Sequence, residues 1–333
     1  MSKTAFSTSN ALTKKLWQEK LFRDTVKESY FSKFMGDNME SLVYTKTDLE
    51  KGQGDKLTFG IRMRLSASGV TSGQALEGNE ESLTTYDYSL TLEQYRHAVR
   101  DDGAMSRKRA MFSISEEAVS ALKDWGAEKI DSLLFTALQA SPTKIFYGGD
   151  ATSAATLEAG DKLTPELISK VKAWAVTGGG RSGALTPIRP IRVNGGKYYV
   201  LLVHPDQMFD LKRNSEFTQA MREAEIRGPQ NPLFNNATAI WDGVVIHEHE
   251  NITRYTTWGA GSDVSGASGM FMGAQALCWG FGERPNVVNK MFDYDNEQGY
   301  AWGMIAAAGK PKFNSKDYGV IGVYTARTGV AES

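Results

Sequence analysis

Two histidines and two glutamates alternate over four consecutive positions, His247, Glu248, His249 and Glu250, inside the stretch WDGVVIHEHENI. The chain has four histidines in all, so half of its imidazoles fall here. Val244, Val245 and Ile246 give the segment strand propensity, and strand side chains alternate between two faces. His247 and His249 therefore share a face, about 6.5–7 Å apart along the backbone. Two imidazoles at that separation can converge on one zinc or iron ion if a third ligand completes the site. Glu248 and Glu250 face the other way and cannot supply it. His97 or His204 would have to arrive from elsewhere, and the sequence gives no sign of either doing so. A metal-dependent enzyme built on this pair and a strand that is merely polar on one side both stay open at this point.

The other chemical candidates are weaker. Gly178, Gly180 and Gly183 satisfy G-x-G-x-x-G, but a dinucleotide loop must follow a strand and open a helix. Here a helical pattern precedes and the Pro-rich TPIRP follows. In AAGKP, Pro311 stands after Lys310 where a phosphate loop needs Ser or Thr, and the earlier glycine is missing. GASG lacks a residue of the nucleophile elbow and its strand–turn–helix setting. Cys278 is the only cysteine and sits between Leu277 and Trp279, so it reads as a buried, inert thiol. His97, next to Arg96, and His204, at a strand end before Pro205, read as structural.

The elements that would position these residues mix helices and strands without regular β-α-β alternation, which predicts an α+β chain. Its 333 residues are 41% hydrophobic and 23% charged, with 38 basic and 39 acidic side chains and a net charge of -1. Such a chain has a core and no global field toward nucleic acid or anionic lipid. One thiol excludes an internal disulfide and a cysteine zinc site. The start, MSKTAFSTSN, lacks the apolar core of a signal peptide, and stretches such as YYVLLV are too short to span a bilayer, which predicts a cytosolic product. The N-x-T triplets at Asn236 and Asn251 are then coincidental.

Residues 1–10 read as disordered. Residues 11–35 place Leu12, Leu16, Leu21, Phe22, Val26, Tyr30 and Phe34 at roughly helical spacing, an amphipathic arm that needs a surface to lie against. In DKLTFGIRMRL, Leu57, Phe59, Ile61, Met63 and Leu65 alternate with Lys56, Thr58, Arg62 and Arg64. SLTTYDYSLTLEQYRHAVR alternates through Tyr86, Tyr88, Leu90 and Leu92. The two arms predict a long hairpin over 55–100 with a wide polar tip, and a two-stranded ribbon must dock on something. Arg62 and Arg64 lie on one arm while Glu77, Glu80 and Glu81 crowd the tip, an arrangement that favours tip-to-arm attraction between identical copies.

Ser113 and Glu116 form a capping box that opens a helix with Val119, Leu122, Ile130, Leu133, Leu134 and Leu138 on one stripe, closed by Pro142. About 26 residues make a rod of roughly 40 Å. Thr164 and Pro165 open a second helix, KYYVLLVHP reads as a buried strand, and Pro205 and Asp206 open a helix running through DQMFDLKRNSEFTQAMREA. The C-terminal third is strand and turn.

Taken in order, the arm, DLEKGQGDKLTFGIRMRLSASGV, LEGNEESLTTYDYSLTLEQYRHAVR, the helix EEAVSALKDWGAEKIDSLLF and YYVLLVHPDQMFDLKRN resemble major capsid proteins of tailed bacteriophages with the Hong Kong 97-type fold. The branch typified by coliphage N-four is the most similar, through LEGNEE and YRHAVR, and the likeness runs from about Leu12 to Thr325. It implies an N-terminal arm over 1–45 and an extended hairpin loop over 46–104 that lies across a neighbour. A spine helix of the peripheral domain would span 105–142, and an axial domain with part of the peripheral domain 143–290. The last strands, over 291–333, would return to the peripheral sheet. The function implied is a virion shell protein, made in the host cytoplasm, whose copies form hexamers and pentamers of an icosahedral head around double-stranded DNA. Portal, scaffolding and decoration proteins are the other expected partners. No membrane, cofactor, metal, catalytic residue or covalent Lys–Asn crosslink is expected, and a separate scaffold is. Inter-subunit contact is expected at Phe22 and Phe34 of the arm and at Arg62, Arg64, Glu77, Glu80 and Glu81 of the hairpin. The alternatives are the metal-dependent enzyme and a different structural part of a phage.

Overall fold

A computed structural model describes residues 29–47, 54–62, 65, 68–109, 113–178, 187–193, 195–223 and 239–328. A 3-10 turn over Tyr30–Phe34 leads into β1 (Met35–Gly36), β2 (Val43–Lys46), β3 (Lys56–Arg62), β4 (Thr85–Thr91) and β5 (Glu93–Arg100). Helices α1 (Ala104–Arg109) and α2 (Ile114–Gln139) follow, then β6 (Ile145–Tyr147), α3 (Pro165–Thr177), β7 (Ile191–Val193) and β8 (Gly196–Val203). After α4 (Pro205–Lys212) and α5 (Ser215–Glu223) come β9 (Ala239–Trp241), β10 (Val244–Glu248), β11 (Arg254–Trp258) and β12 (Val264–Met272). The rest is β13 (Leu277–Phe292), β14 (Glu297–Gly309), β15 (Lys312–Phe313), β16 (Lys316–Asp317) and β17 (Val320–Ala326).

Two larger sheets organise the molecule. One has the order β1-β2-β13-β14-β5; the other runs β6-β17-β12-β8-β10-β9, with β11 on β12 and β7 on β8. The Ser113 hydroxyl accepts the Glu116 N–H at 3.4 Å, so the long helix begins where its capping sequence says. Its buried stripe is Leu122, Ile130, Leu134, Phe135 and Leu138, with Val119 and Leu133 half-buried. The stripe packs on Trp279, Trp302 and Met304 of the five-stranded sheet and shares one core with Met270 and Met272 of the other. Gly126 lets the helix close on the sheet: a Cβ there would lie 2.9 Å from the Trp302 ring.

The eight-stranded sheet is buried on both sides, which explains its near-continuous apolar runs. Val200, Leu202 and Val245 face the α2 side; Tyr199, Leu201, Val203, Val244 and Ile246 face Leu167, Val171, Met208, Leu211 and Phe217 of α3, α4 and α5. Each such side chain contributes about 1.5–3 kcal/mol by leaving water. Thr164 caps α3 through the Leu167 N–H at 3.3 Å, with Pro165 in its first turn.

Three expectations need correction. The hairpin's second arm is not continuous: β4 pairs with β3, whereas β5 pairs with β14, and the change falls at Leu92, whose N–H donates to Asp55 O at 2.8 Å. Beyond that residue the chain gains more by joining a wide sheet than by lengthening a two-stranded ribbon. The helix after Pro205 breaks at Asn214, whose Oδ1 accepts the N–H groups of Glu216 at 3.0 Å and Phe217 at 3.3 Å, an N-cap that starts α5 afresh. The last two long strands part company as well. β14 joins the five-stranded sheet and β17 the other, where its apolar residues are buried on both faces. The expectations for Phe22, Met63, Arg64, Gly180, Gly183 and the rest of the arm ahead of Ser29 lie outside the described residues.

Candidate functional site

The histidine strand is packed, not open. β10 lies parallel to β8, with His247 opposite Leu202. His247 is fully buried, with the rings of Tyr30 and Phe34 edge-on at 6.3 and 5.5 Å between centroids. His249 sits past the strand end, held by its N–H to Val203 O at 3.0 Å. Its ring lies 4.5 Å from both Tyr30 and Phe135. The two imidazoles do turn to the same side, but aromatic rings occupy the space that an ion and a third ligand need. His249 Nδ1 accepts the Asn251 N–H at 3.1 Å. Burial lowers the His249 pKa; the Asp131 and Glu250 carboxylates oppose this and Lys33 adds to it. Glu248 faces the other way, 3.7 Å from Lys212. Among the described residues no three His, Cys, Asp or Glu side chains are grouped to hold a metal ion.

The remaining candidates are structural too. His204 caps α4, its Nδ1 accepting the Asp206 N–H at 3.1 Å. His97 packs 4.8 Å from Trp125. Cys278 is buried, and burial pushes its thiol up to about 12. Lys310 Nζ donates to Ala140 O at 2.6 Å, just past the end of the long helix, and pairs with Asp317 at 3.3 Å.

The hairpin presents a different kind of site. Its root docks on its own chain, where Leu57, Phe59 and Leu90 pack against Cys278 and Ala307. Gly280 and Gly309 make that possible, since a Cβ at either would collide with Leu57 or Leu90. Past Arg62 and Thr85, which face each other across the ribbon, the surroundings change. Every residue from 71 to 85 is exposed, Leu76 and Leu83 by more than half. The tip is nonetheless built: Gln74 N–H donates to Thr71 O at 3.1 Å, Asn79 N–H to Leu76 O at 3.0 Å, and the Glu80 carboxylate accepts the Gly78 N–H at 2.8 Å. Glu77, Glu80 and Glu81 stand on it. Arg62 is exposed at the end of β3. Phe34, by contrast, is only 5% exposed and belongs to this chain's own core, which leaves its ring little surface to offer a neighbour.

Buried polar networks fix the frame around these surfaces, and sequence reading missed them. Asp131, midway along α2, accepts Ser29 Oγ at 2.6 Å, the Tyr30 N–H at 2.7 Å and the Phe31 N–H at 3.2 Å. On α4, Gln207 donates to Ala267 O and Thr325 Oγ1, Asp206 pairs with Arg327, and Asp210 accepts the Thr328 N–H at 2.7 Å. The partners stand 60 to 121 positions apart in the chain, and no local spacing marks them.

Comparison with known proteins gives this geometry a context. The family model described as phage capsid protein matches residues 4–144 and 136–328. The major capsid protein of Pseudomonas phage KPP25 is 29% identical over 366 aligned residues, which span 94% of this chain and 95% of that protein. The capsid of Ralstonia phage GP4 superimposes with a TM-score of 0.83 at 28% identity over the whole of both chains. The capsid asymmetric unit of cyanophage Pam1 shares the fold, with a TM-score of 0.76 at 22% identity over 91% of this chain and 93% of that one.

Proposed function

The chain belongs to the phage capsid protein family, a structural component of the viral shell, and from that premise we propose that its copies assemble into hexamers and pentamers of an icosahedral head enclosing double-stranded DNA. The fold is then of the Hong Kong 97 type and the branch that of coliphage N-four. In those terms α2 with the five-stranded sheet is the peripheral domain and the eight-stranded sheet with α3, α4 and α5 is the axial domain. β3 and β4 carry the extended loop, and the residues ahead of Ser29 form the arm. Portal, scaffolding and decoration proteins are the further partners, and the subunit is made in the host cytoplasm.

The observation that carries this reading is the hairpin tip. Residues 71–85 hold ordered turns, three glutamates and two exposed leucines away from the body of their own chain. A segment of that kind has its contacts on another molecule. Arg62, Glu77, Glu80 and Glu81 are the described residues placed to make them, with Arg64 and Phe22 as proposed additions. A net charge of -1 suits a container whose contents must slide during filling. Among the described residues no helix is long and apolar enough to cross a membrane. Negative-stain microscopy of the protein, alone and co-produced with a scaffold, tests the proposal. Capsomers or closed shells are expected; stable monomers under both conditions would refute it.

A further inference from the structure

The Asp131 carboxylate accepts Ser29 Oγ at 2.6 Å, the Tyr30 N–H at 2.7 Å and the Phe31 N–H at 3.2 Å, so residues 1–28 are followed directly by a stretch clasped to the long helix. Asp131 is also the last of four acids on one face of α2. Glu117, Asp124, Glu128 and Asp131 stand at i, i+7, i+11 and i+14, a spacing that lines them up in a narrow stripe along the helix. Glu117, Asp124 and Glu128 are exposed, and among the described residues none of the three is in an ion pair. Ser120 and Ala121, exposed between them, are small and leave room for a close approach. Lys123 and Lys129, the lysines of this helix, stand off the stripe, Lys129 over the Tyr95 ring at 5.0 Å. Past Asp131 the exposed residues of the helix are Ser132 and Thr136, which carry no charge. The acidic face therefore starts at the clasp and runs toward the helix N-terminus.

We propose that in the free subunit this face is covered by the chain's own N-terminal segment, which lies along α2 from Asp131 toward Glu117. Residues 1–28 carry six basic and three acidic residues, a net charge of +3, opposite in sign to the stripe. Within the helical spacing that starts at residue 11, Lys20, Arg23 and Lys27 stand at i, i+3 and i+7 on one side, with Glu19, Asp24 and Glu28 flanking them. The registers match. Counted back from Ser29 as α2 is counted back from Asp131, Lys27 comes within one residue of Glu128 and Arg23 within one residue of Asp124. Lys20 falls beside Ala121, one turn from Glu117. The opposite direction, over Ser132 and Thr136, offers these cations nothing. Exposed ion pairs are individually weak and screened by salt, so the docking is loose. The tether favours it all the same: the clasp at Asp131 makes the contact intramolecular, and in dilute solution the segment of a second copy has no such advantage. The contact is autoinhibitory, because Phe22 reaches another copy only once its segment leaves its own helix. The inference concerns the free subunit and stands apart from the assembly proposed above.

The test is crosslinking in the full-length chain, dilute and unassembled, in a Cys278→Ala background so that only introduced thiols remain. Arg23→Cys combined with Asp124→Cys should give, on oxidation, a monomer with an internal disulfide, read as a linked peptide pair that reductant separates. Arg23→Cys combined with Thr136→Cys, on the uncharged part of the same helix, should stay unlinked. Disulfide-linked dimers in place of the linked monomer would put the segment on a second copy, and a link from 23 to 136 would reverse its direction; either result overturns the inference. Proteolysis is the second measurement and avoids the Cys278 change. Chymotrypsin cuts after aromatic residues, and Glu128→Lys, at an exposed position, should speed cleavage after Phe22 several-fold in low salt. Lys27→Glu added to it should restore the slow rate, and high salt should speed cleavage of the wild type. A rate indifferent to both substitutions would also overturn the inference. None of these measurements involves shells, so a negative result leaves the assembly reading standing, and a failure to assemble leaves this one.

Discussion

The Asp131 carboxylate accepts the Tyr30 backbone N–H at 2.7 Å, so the middle of the long helix holds the first residue of the Tyr30–Phe34 turn. Ser29 Oγ and the Phe31 N–H share the same carboxylate, and the Tyr30 ring packs beside His249 from there. One side chain thus ties the root of the N-terminal segment to both the helix and the histidine strand.

Asp131→Ala removes all three bonds and leaves two partly buried N–H groups without their acceptor. A loss of about 2–3 kcal/mol is expected, since bonds to a charged acceptor are worth more than neutral ones. Chemical denaturation reads the stability, and limited proteolysis should open a new cleavage site within Ser29–Phe34. An unchanged midpoint and digest would mean that the aromatic packing alone holds this turn.

Acid should weaken the subunit through its imidazoles. Burial lowers the pKa of His249, and of His204, below the 6.5 of a free imidazole, so both stay neutral in the folded chain to lower pH than in the unfolded one. The groups that face His249 are Tyr30, Asp131, Glu250 and Lys33; Asp206, Arg254 and Arg327 face His204. Below about pH 6.5 the unfolded chain binds more protons, and stability falls with pH until the folded-state values are passed. Thermal melts from about pH 7.5 down to about pH 5 should show this decline. His249→Phe, which keeps a ring against Tyr30 and Phe135, should flatten it; a slope equal to that of the wild type would remove His249 from the explanation.

The Lys310–Asp317 pair is nearly dry, with side chains 2% and 1% exposed. Lys310→Met strands the Asp317 carboxylate, with Lys312 only at 4.0 Å, and should cost about 3–5 kcal/mol. Lys310→Met with Asp317→Asn should recover part of that loss, because the amide oxygen still accepts the Thr143 N–H that Asp317 now takes at 2.6 Å. Urea titrations of the single and double variants decide the matter. A double variant no more stable than the single would show that the lysine's bond to Ala140 O, and not charge pairing, is what matters there.

What the sequence made legible follows from how far apart interacting residues lie. The Ser113 cap and the stripe from Leu122 to Leu138 are local patterns, and so are the Thr164–Pro165 start and the Leu57–Phe59 alternation. All four appear in the fold where their spacing puts them. The Asn214 cap was readable in kind but lay within a helical pattern on either side. The partition of β4 from β5, and of β14 from β17, was not readable, because strand pairing depends on which edge is available and not on propensity. The histidines show the same limit. His247 and His249 were correctly placed on one side, yet what fills that side comes from Tyr30, Phe34 and Phe135, more than 100 positions away. Glu77, Glu80 and Glu81 were visible as a cluster, whereas Lys46 and Arg189 join Arg62 only in the folded chain.

The place of β17 has a consequence for timing. It lies between β6 and β12, and just past it Arg327 and Thr328 satisfy Asp206 and Asp210 of α4. Until residues 320–328 have been synthesised, β6 has no strand to pair with, one edge of β12 is bare and two carboxylates on α4 lack these partners. The ribbon and the long helix are made much earlier, but their docking partners Cys278, Trp279, Trp302 and Ala307 also come late in the chain. Closing the larger sheet is therefore a last step, and a chain released before residue 320 would leave both large sheets' shared core without β17.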